Sequence, residues 1–180
     1  MSTEYTNKLH AGSVFPDISA KLLNGDTKKL ATPENGLDWK VVVIYRGQHC
    51  PLCTRYLNQL ESVRGYLAET GVDLIAVSGD SKAQLESPLP RLDIDFPIAY
   101  GLTVEQMEEL GVYISDPRSP QETDHPFSEP ALFVVNNEGL VHVADISNNP
   151  FVRPELETLV SGLGWIRNPD NNYPIRGMHK

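Results

Sequence analysis

The chain has 180 residues, 40% of them hydrophobic and 22% charged, enough for one sizeable core and short for two; a single globular domain over residues 1–180 is expected. Its formal net charge of −9 argues against nucleic acid or an anionic membrane as a partner, because no broad cationic face exists to release counterions. No apolar run approaches the roughly 20 residues that span a bilayer, and Met1 to Gly12 lacks the apolar core of a secretory signal, so a cytoplasmic setting is expected.

Ile18-Ser19-Ala20-Lys21-Leu22 alternates and is followed by Asn24-Gly25-Asp26 and a second polar-apolar strip, which predicts an N-terminal β-hairpin. Ala31 to Asp38 is a surface connection. The apolar run Val41-Val42-Val43-Ile44 then predicts a buried strand, followed by Arg46-Gly47-Gln48-His49 as a turn and a helix opening at Pro51. Leu52, Tyr56, Leu60, Val63 and Leu67 recur on one face of that helix, and Gly71 is its natural C′ residue. Val72 to Val77 predicts a second buried strand, and Ser81 with Gln84 a capping box for a helix that Pro88 and Pro90 should stop. Phe96 to Tyr100 reads as a short strand or an extended link; Thr103 with Gln106 opens another capped helix, closed by Gly111, with Val104, Met107 and Leu110 inward. Asp116 to Pro130 is a proline-rich loop of the length that usually serves function or moves. Ala131–Val135 and Leu140–Ala144 flank a turn and predict a hairpin, Pro154 begins a last amphipathic helix, and residues 168–180 form a polar tail. Strand-helix-strand units need parallel pairing and the late hairpin is antiparallel, so the fold class is α/β, a mixed sheet covered by helices.

The only two cysteines, Cys50 and Cys53, fall on the predicted opening turn of the first long helix. Three residues apart, they share one helix face and can form a disulfide with little backbone movement. Unpaired N–H groups and the dipole at a helix start favour a thiolate, and Arg46 or Arg55 could add positive charge. Cys50, at the N-cap end, is expected to be the more exposed and to attack; Cys53, a turn further in, is suited to resolve the adduct. His49 could act as acid, base or electrostatic neighbour, or be a solvated turn residue. Asp73, Asp80 and Glu129 are expected to be solvated or capping. The alternatives for the cysteines are two inert buried residues or half of a zinc site; no second C-x-x-C or H-x₃₋₅-H accompanies them, so no metal and no cofactor is expected.

With these residues in place, the chain resembles the thioredoxin-fold redoxins, and in particular the peroxiredoxin and alkyl hydroperoxide reductase branch. The resemblance is carried by Ala11-Gly12-Ser13-Val14-Phe15-Pro16-Asp17, by Val72 to Ser81, by Asp95-Phe96-Pro97-Ile98 and by Leu132 to Gly139, together with the C-P-x-C motif. It implies a thioredoxin-like, peroxiredoxin-type sheet sandwiched by helices, and a cis proline at Pro130 facing the cysteines, where the Glu129 backbone would bind a substrate chain. Two features depart from the peroxidases of that family. Their proline and threonine, seven and three residues before the peroxidatic cysteine, have no counterpart counting back from Cys50 (Val43, Gly47) or from Cys53 (Arg46, Cys50). Their arginine near the cis proline is missing from Ser128 to Leu132, leaving Arg118 or Arg153 to fold in.

The resulting expectation is a peroxiredoxin-like thiol-disulfide oxidoreductase with an antioxidant role, acting through Cys50 and Cys53 with Arg46, His49 and Pro130 around them. Its partners would be a disulfide or peroxide substrate and an external dithiol reductant such as thioredoxin or the glutathione system, and the family suggests a homodimer. A variant for peroxide makes Cys53 the attacking thiol and Cys50 the resolving one. The alternative is a non-catalytic redoxin-fold binding or redox-sensing module, with the Asp116 to Pro130 loop as its partner surface.

Overall fold

Strand β3 (Trp39–Ile44) is buried along its whole length, as a run of β-branched residues inside a sheet covered on both faces must be. Its neighbours satisfy its backbone on both sides: β4 (Val72–Val77) pairs parallel to it, and β8 (Ala131–Val135) antiparallel. The computed structural model, which describes residues 4, 5, 7–87 and 91–180, completes this centre into a seven-stranded sheet of order β2-β1-β5-β4-β3-β8-β9. The N-terminal hairpin, β1 (Ser19–Leu22) and β2 (Thr27–Lys29), joins one edge through β5 (Ile98–Tyr100). The other edge is β9 (Val141–Ile146). The sheet is therefore mixed, as the connection lengths required.

Because strand side chains alternate, the sheet splits the core in two. Val41, Val43, Leu74, Ala76, Leu132 and Val134 pack beneath α1 (Pro51–Glu69) and α4 (Leu156–Arg167). Val42, Ile44, Ile75, Val77, Phe133 and Val135 face the opposite way, against Phe15 and the residues Met107 and Leu110 of α3 (Val104–Leu110). Helix α1 ends at Glu69, with Gly71 just beyond at φ +84°, a conformation that favours glycine. Both predicted capping boxes form, at Ser81 for α2 (Lys82–Glu86) and at Thr103 for α3. Helix α2 stops at Glu86; the proposed stop signals Pro88 and Pro90 lie outside the described residues.

Three local expectations change. The segment after Asp116 is not all loop: β7 (Phe127–Ser128) pairs with β6 (Ile114–Ser115) in a separate small sheet. Helix α4 starts at Leu156 rather than Pro154, because the Glu155 carboxylate caps it by accepting from the N–H groups of Glu157 and Thr158. The tail folds briefly into a 3₁₀ turn at Pro169–Asn171.

Candidate active site

The site is built where β3 gives way to α1. After Ile44 the chain turns through Gly47, whose φ of +141° brings its backbone against Asp80; a Cβ there would lie 2.6 Å from Oδ1 of that carboxylate. Asp80 holds the turn by accepting from the Gln48 N–H at 2.7 Å, and from below His125 Nε2 lies 3.1 Å away. Cys50 then stands at the N-cap of α1 in an extended conformation, with Pro51 as the first helical residue. Its sulfur accepts from the Cys53 N–H at 3.3 Å, taking up one of the donors that every helix start leaves unpaired.

Both sulfurs are reduced and buried, at 2% and 0% exposure, so Cys50 is not appreciably the more exposed. What differs is access. A cleft of about 460 Å³, lined by Arg46, His49, Leu52, Arg118 and Phe151 among others, reaches Cys50; Cys53, one turn in, is not part of its lining. The two thiols are driven apart in acidity. The Cys53 side chain hydrogen-bonds to Cys50 and lowers its pKa, against burial, and Arg46, the Cys53 N–H and the Arg153 charge add to the lowering. Burial, together with the neighbouring Cys50, raises that of Cys53. Both shifts favour Cys50 over Cys53 as the thiolate of the pair.

Two guanidinium groups frame the pair. Arg46 donates through Nε to Glu129 at 2.9 Å and lies over the Phe127 ring at 4.8 Å. Arg153 comes from the connection between β9 and α4; its Nη2 is 2.9 Å from the Cys53 sulfur and 3.9 Å from that of Cys50. Its Nε donates to the Pro150 carbonyl, and its plane lies over Tyr56, whose hydroxyl donates to the Pro154 carbonyl. Arg55 lines a neighbouring groove instead of facing the sulfurs. His49 packs edge-on against Phe127, ring centroids 4.5 Å apart, and neither ring nitrogen has a partner. Burial, and next the charge of Arg46, lower its pKa to about 4, so at neutral pH it is an uncharged wall of the cleft.

Pro130 departs from expectation: no cis peptide occurs among the described residues. The chain passes extended from one sheet to the other, the Glu129 N–H donating to Tyr113 at 2.7 Å and the Pro130 carbonyl accepting from Ser147 at 2.9 Å, which leaves no reversal for a cis bond to make. The Glu129 N–H is consequently unavailable to a substrate. Asp73, Asp80 and Glu129 are not solvated either. Each is buried against a cationic or titratable partner, Lys40, His125 and Arg46 respectively. Among the described residues no cluster of three or more His, Cys, Asp or Glu could hold a metal ion, and no helix is long and apolar enough to cross a membrane.

Residues 11–144 match the sequence model of the AhpC/TSA family. The chain belongs to that family. No curated protein matches it. Among solved structures it is similar to a Cys-to-Ser mutant of peroxiredoxin 6 from Arenicola marina, 20% identical, TM-score 0.71, over 90% of this chain and 75% of that one. A peroxiredoxin-like protein from Aquifex aeolicus is 18% identical, TM-score 0.70, with 87% of each chain covered. Mycobacterium bovis AhpC is 15% identical, TM-score 0.67, over 97% of this chain and 99% of that one. At such identities the likeness speaks for the thioredoxin-like fold of peroxiredoxins. Arg153 lies beyond the span matched to the AhpC/TSA family, and nothing in its local sequence marks it except the absence of an arginine near Pro130.

Proposed function

We propose that the chain is a thiol-dependent oxidoreductase in which Cys50 attacks a disulfide and Cys53 resolves the adduct. The asymmetry of the pair carries this reading: the sulfur with the lowered pKa lines the cleft, and the one with the raised pKa stands behind it. The Cys50 thiolate attacks one substrate sulfur, forming a mixed disulfide while the substrate S–S bond breaks and its other sulfur leaves as a thiolate. Cys53 then gives up its proton to that departing thiolate or to solvent and attacks Cys50. The substrate's second thiolate leaves, and the Cys50–Cys53 disulfide holds the two electrons' worth of oxidation until an external dithiol reduces it. Arg153, in reach of both sulfurs, offsets the negative charge as it passes from one to the other.

Peroxide is the second substrate the site supports, because the Arg46 and Arg153 guanidinium groups supply donors beside the attacking sulfur. Cys50 would then become a sulfenic acid as the peroxide O–O bond breaks, and Cys53 would condense with it, releasing water. In either chemistry access and acidity favour Cys50 over Cys53 as the attacking thiol.

The test uses Cys50→Ser and Cys53→Ser proteins with insulin disulfides and with hydrogen peroxide. Cys53→Ser should trap a mixed disulfide on Cys50 and lose disulfide turnover; Cys50→Ser should react with neither substrate. A sulfenic acid captured on Cys53 of the Cys50→Ser protein, with fast peroxide turnover, would overturn the assignment.

A further inference from the structure

Phe151 and Val152 are 80% and 61% exposed, the only chain-adjacent pair of large exposed apolar side chains among the described residues. Such a pair in water is unfavourable, yet the loop that displays it is tightly made. The Ser147 hydroxyl accepts from the Asn149 N–H, Asn149 Oδ1 from the Phe151 N–H, and the Asn149 carbonyl from the Val152 N–H. The next residue is Arg153, fixed on the two sulfurs. The apolar ridge is therefore held at a set position relative to the nucleophile.

Phe151 also divides two grooves. The Cys50 cleft lies on one side, and a second groove of about 340 Å³, lined by Arg55, Tyr56, Gln59 and Glu155, lies on the other; both include Leu52 and Pro150. Together they make a track across the reacting sulfur with an apolar rise in its middle. In a chain of charge −9 this track is not acidic: Arg46, Arg55, Arg118 and Arg153 face Glu122, Glu155 and, behind Arg46, Glu129. Arg46 is paired with Glu129, Arg118 with Glu122, and Arg153 faces the two sulfurs; Arg55, exposed and without an ion-pair partner among the described residues, is the cation of the track left open to a ligand.

We propose that the track receives an extended polypeptide whose oxidised cysteine is flanked by an apolar residue, seated against Phe151 and Leu52, and by an acidic residue in reach of Arg55. This rests on the thiol-disulfide reading and names its substrate as a protein disulfide rather than a small one.

The probes are three short peptides, each carrying one cysteine as a mixed disulfide with 5-thio-2-nitrobenzoate: one with Leu beside the cysteine and a flanking Asp, one with Gly and Lys, and one with Leu and Lys. Hydroxyethyl disulfide is the small-molecule reference. The wild type should release the chromophore from the Leu/Asp peptide at least roughly tenfold faster than from the Gly/Lys peptide, the scale on which an apolar pocket discriminates. Phe151→Ser should cut that ratio to under about threefold, and Arg55→Glu should reverse the preference between Asp and Lys peptides that both carry Leu. Equal rates on the Leu/Asp and Gly/Lys peptides in the wild type, or a ratio untouched by Phe151→Ser, would overturn the docking proposal while hydroxyethyl disulfide is still reduced. Failure to reduce hydroxyethyl disulfide as well would remove the underlying disulfide chemistry. If Phe151→Ser turns a dimer into a monomer in sedimentation and leaves the ratio unchanged, the ridge is a contact between copies and the proposal is refuted.

Discussion

Replacing Arg153 by Gln removes its charge and leaves a shorter, neutral side chain that can still hydrogen-bond. At the 3.9 Å separation from the Cys50 sulfur, Coulomb's law gives about 1 kcal/mol at the dielectric of water and about 4 kcal/mol at an effective dielectric near 20. The lower bound applies if solvent entering the cleft screens the pair, and it still amounts to most of one pKa unit. The sign follows from the charge: without the cation the thiolate is less stable, so the Cys50 pKa rises and alkylation at a fixed pH below it slows. Thiolate absorbance near 240 nm, followed against pH, reads the titration directly, and the pH dependence of iodoacetamide modification reads it independently. Arg153→Lys should recover part of the shift, because it restores the charge but not the planar guanidinium that bonds the Pro150 carbonyl through Nε while Nη2 reaches the sulfurs. A Cys50 pKa that does not move in Arg153→Gln would refute the electrostatic role drawn for this residue.

Gly47→Ala should destabilise the chain by about 1–3 kcal/mol in urea unfolding, since the new Cβ meets Asp80 at a φ of +141°, and should slow Cys50 alkylation by shifting its turn. Asp73→Ala leaves Lys40, 2% exposed and 3.0 Å from the lost carboxylate, without its counter-charge; a cost of about 3–5 kcal/mol is expected from the urea midpoint, and an Asp73→Asn protein should lose less. His49, with a folded pKa near 4 against the usual value of 6.5, binds its proton more tightly when unfolded; stability through this group should fall as pH drops from 6.5 toward 4 and level off below. The urea midpoint of His49→Phe, measured over the same range, should lose that component. A midpoint difference between the two proteins that stays constant from pH 7 to about 4 would contradict it.

The sheet was readable because its signals are local and redundant. Val41 to Ile44 and Val72 to Val77 can be nothing but covered strands in a chain this size, and the boxes at Ser81 and Thr103 announce their helices through the spacing of two side chains. The β6–β7 pair escaped notice because two-residue strands have no period to detect. At the site, the cysteines and Arg46 are near each other in sequence and so near in space by construction. Arg153 is not: its nitrogen reaches the sulfurs from 100 residues away, through a loop set by tertiary packing. Glu129 and Asp80 looked solvated because their cationic or titratable partners, Arg46 and His125, are supplied by other segments. Pro130 does stand just before the Ala131–Val135 strand, but the cis bond implied there by resemblance is absent; the hydrogen bonds of the Glu129 N–H and the Pro130 carbonyl are made with a trans bond.

The placement of Cys53 behind Cys50 makes the pair sequential. A reagent entering through the cleft meets Cys50 first, since Cys53 is not part of its lining. On the proposed chemistry this arrangement imposes an order: a bulky electrophile should label each folded chain once, leaving the inner thiol to displace whatever the outer one has caught.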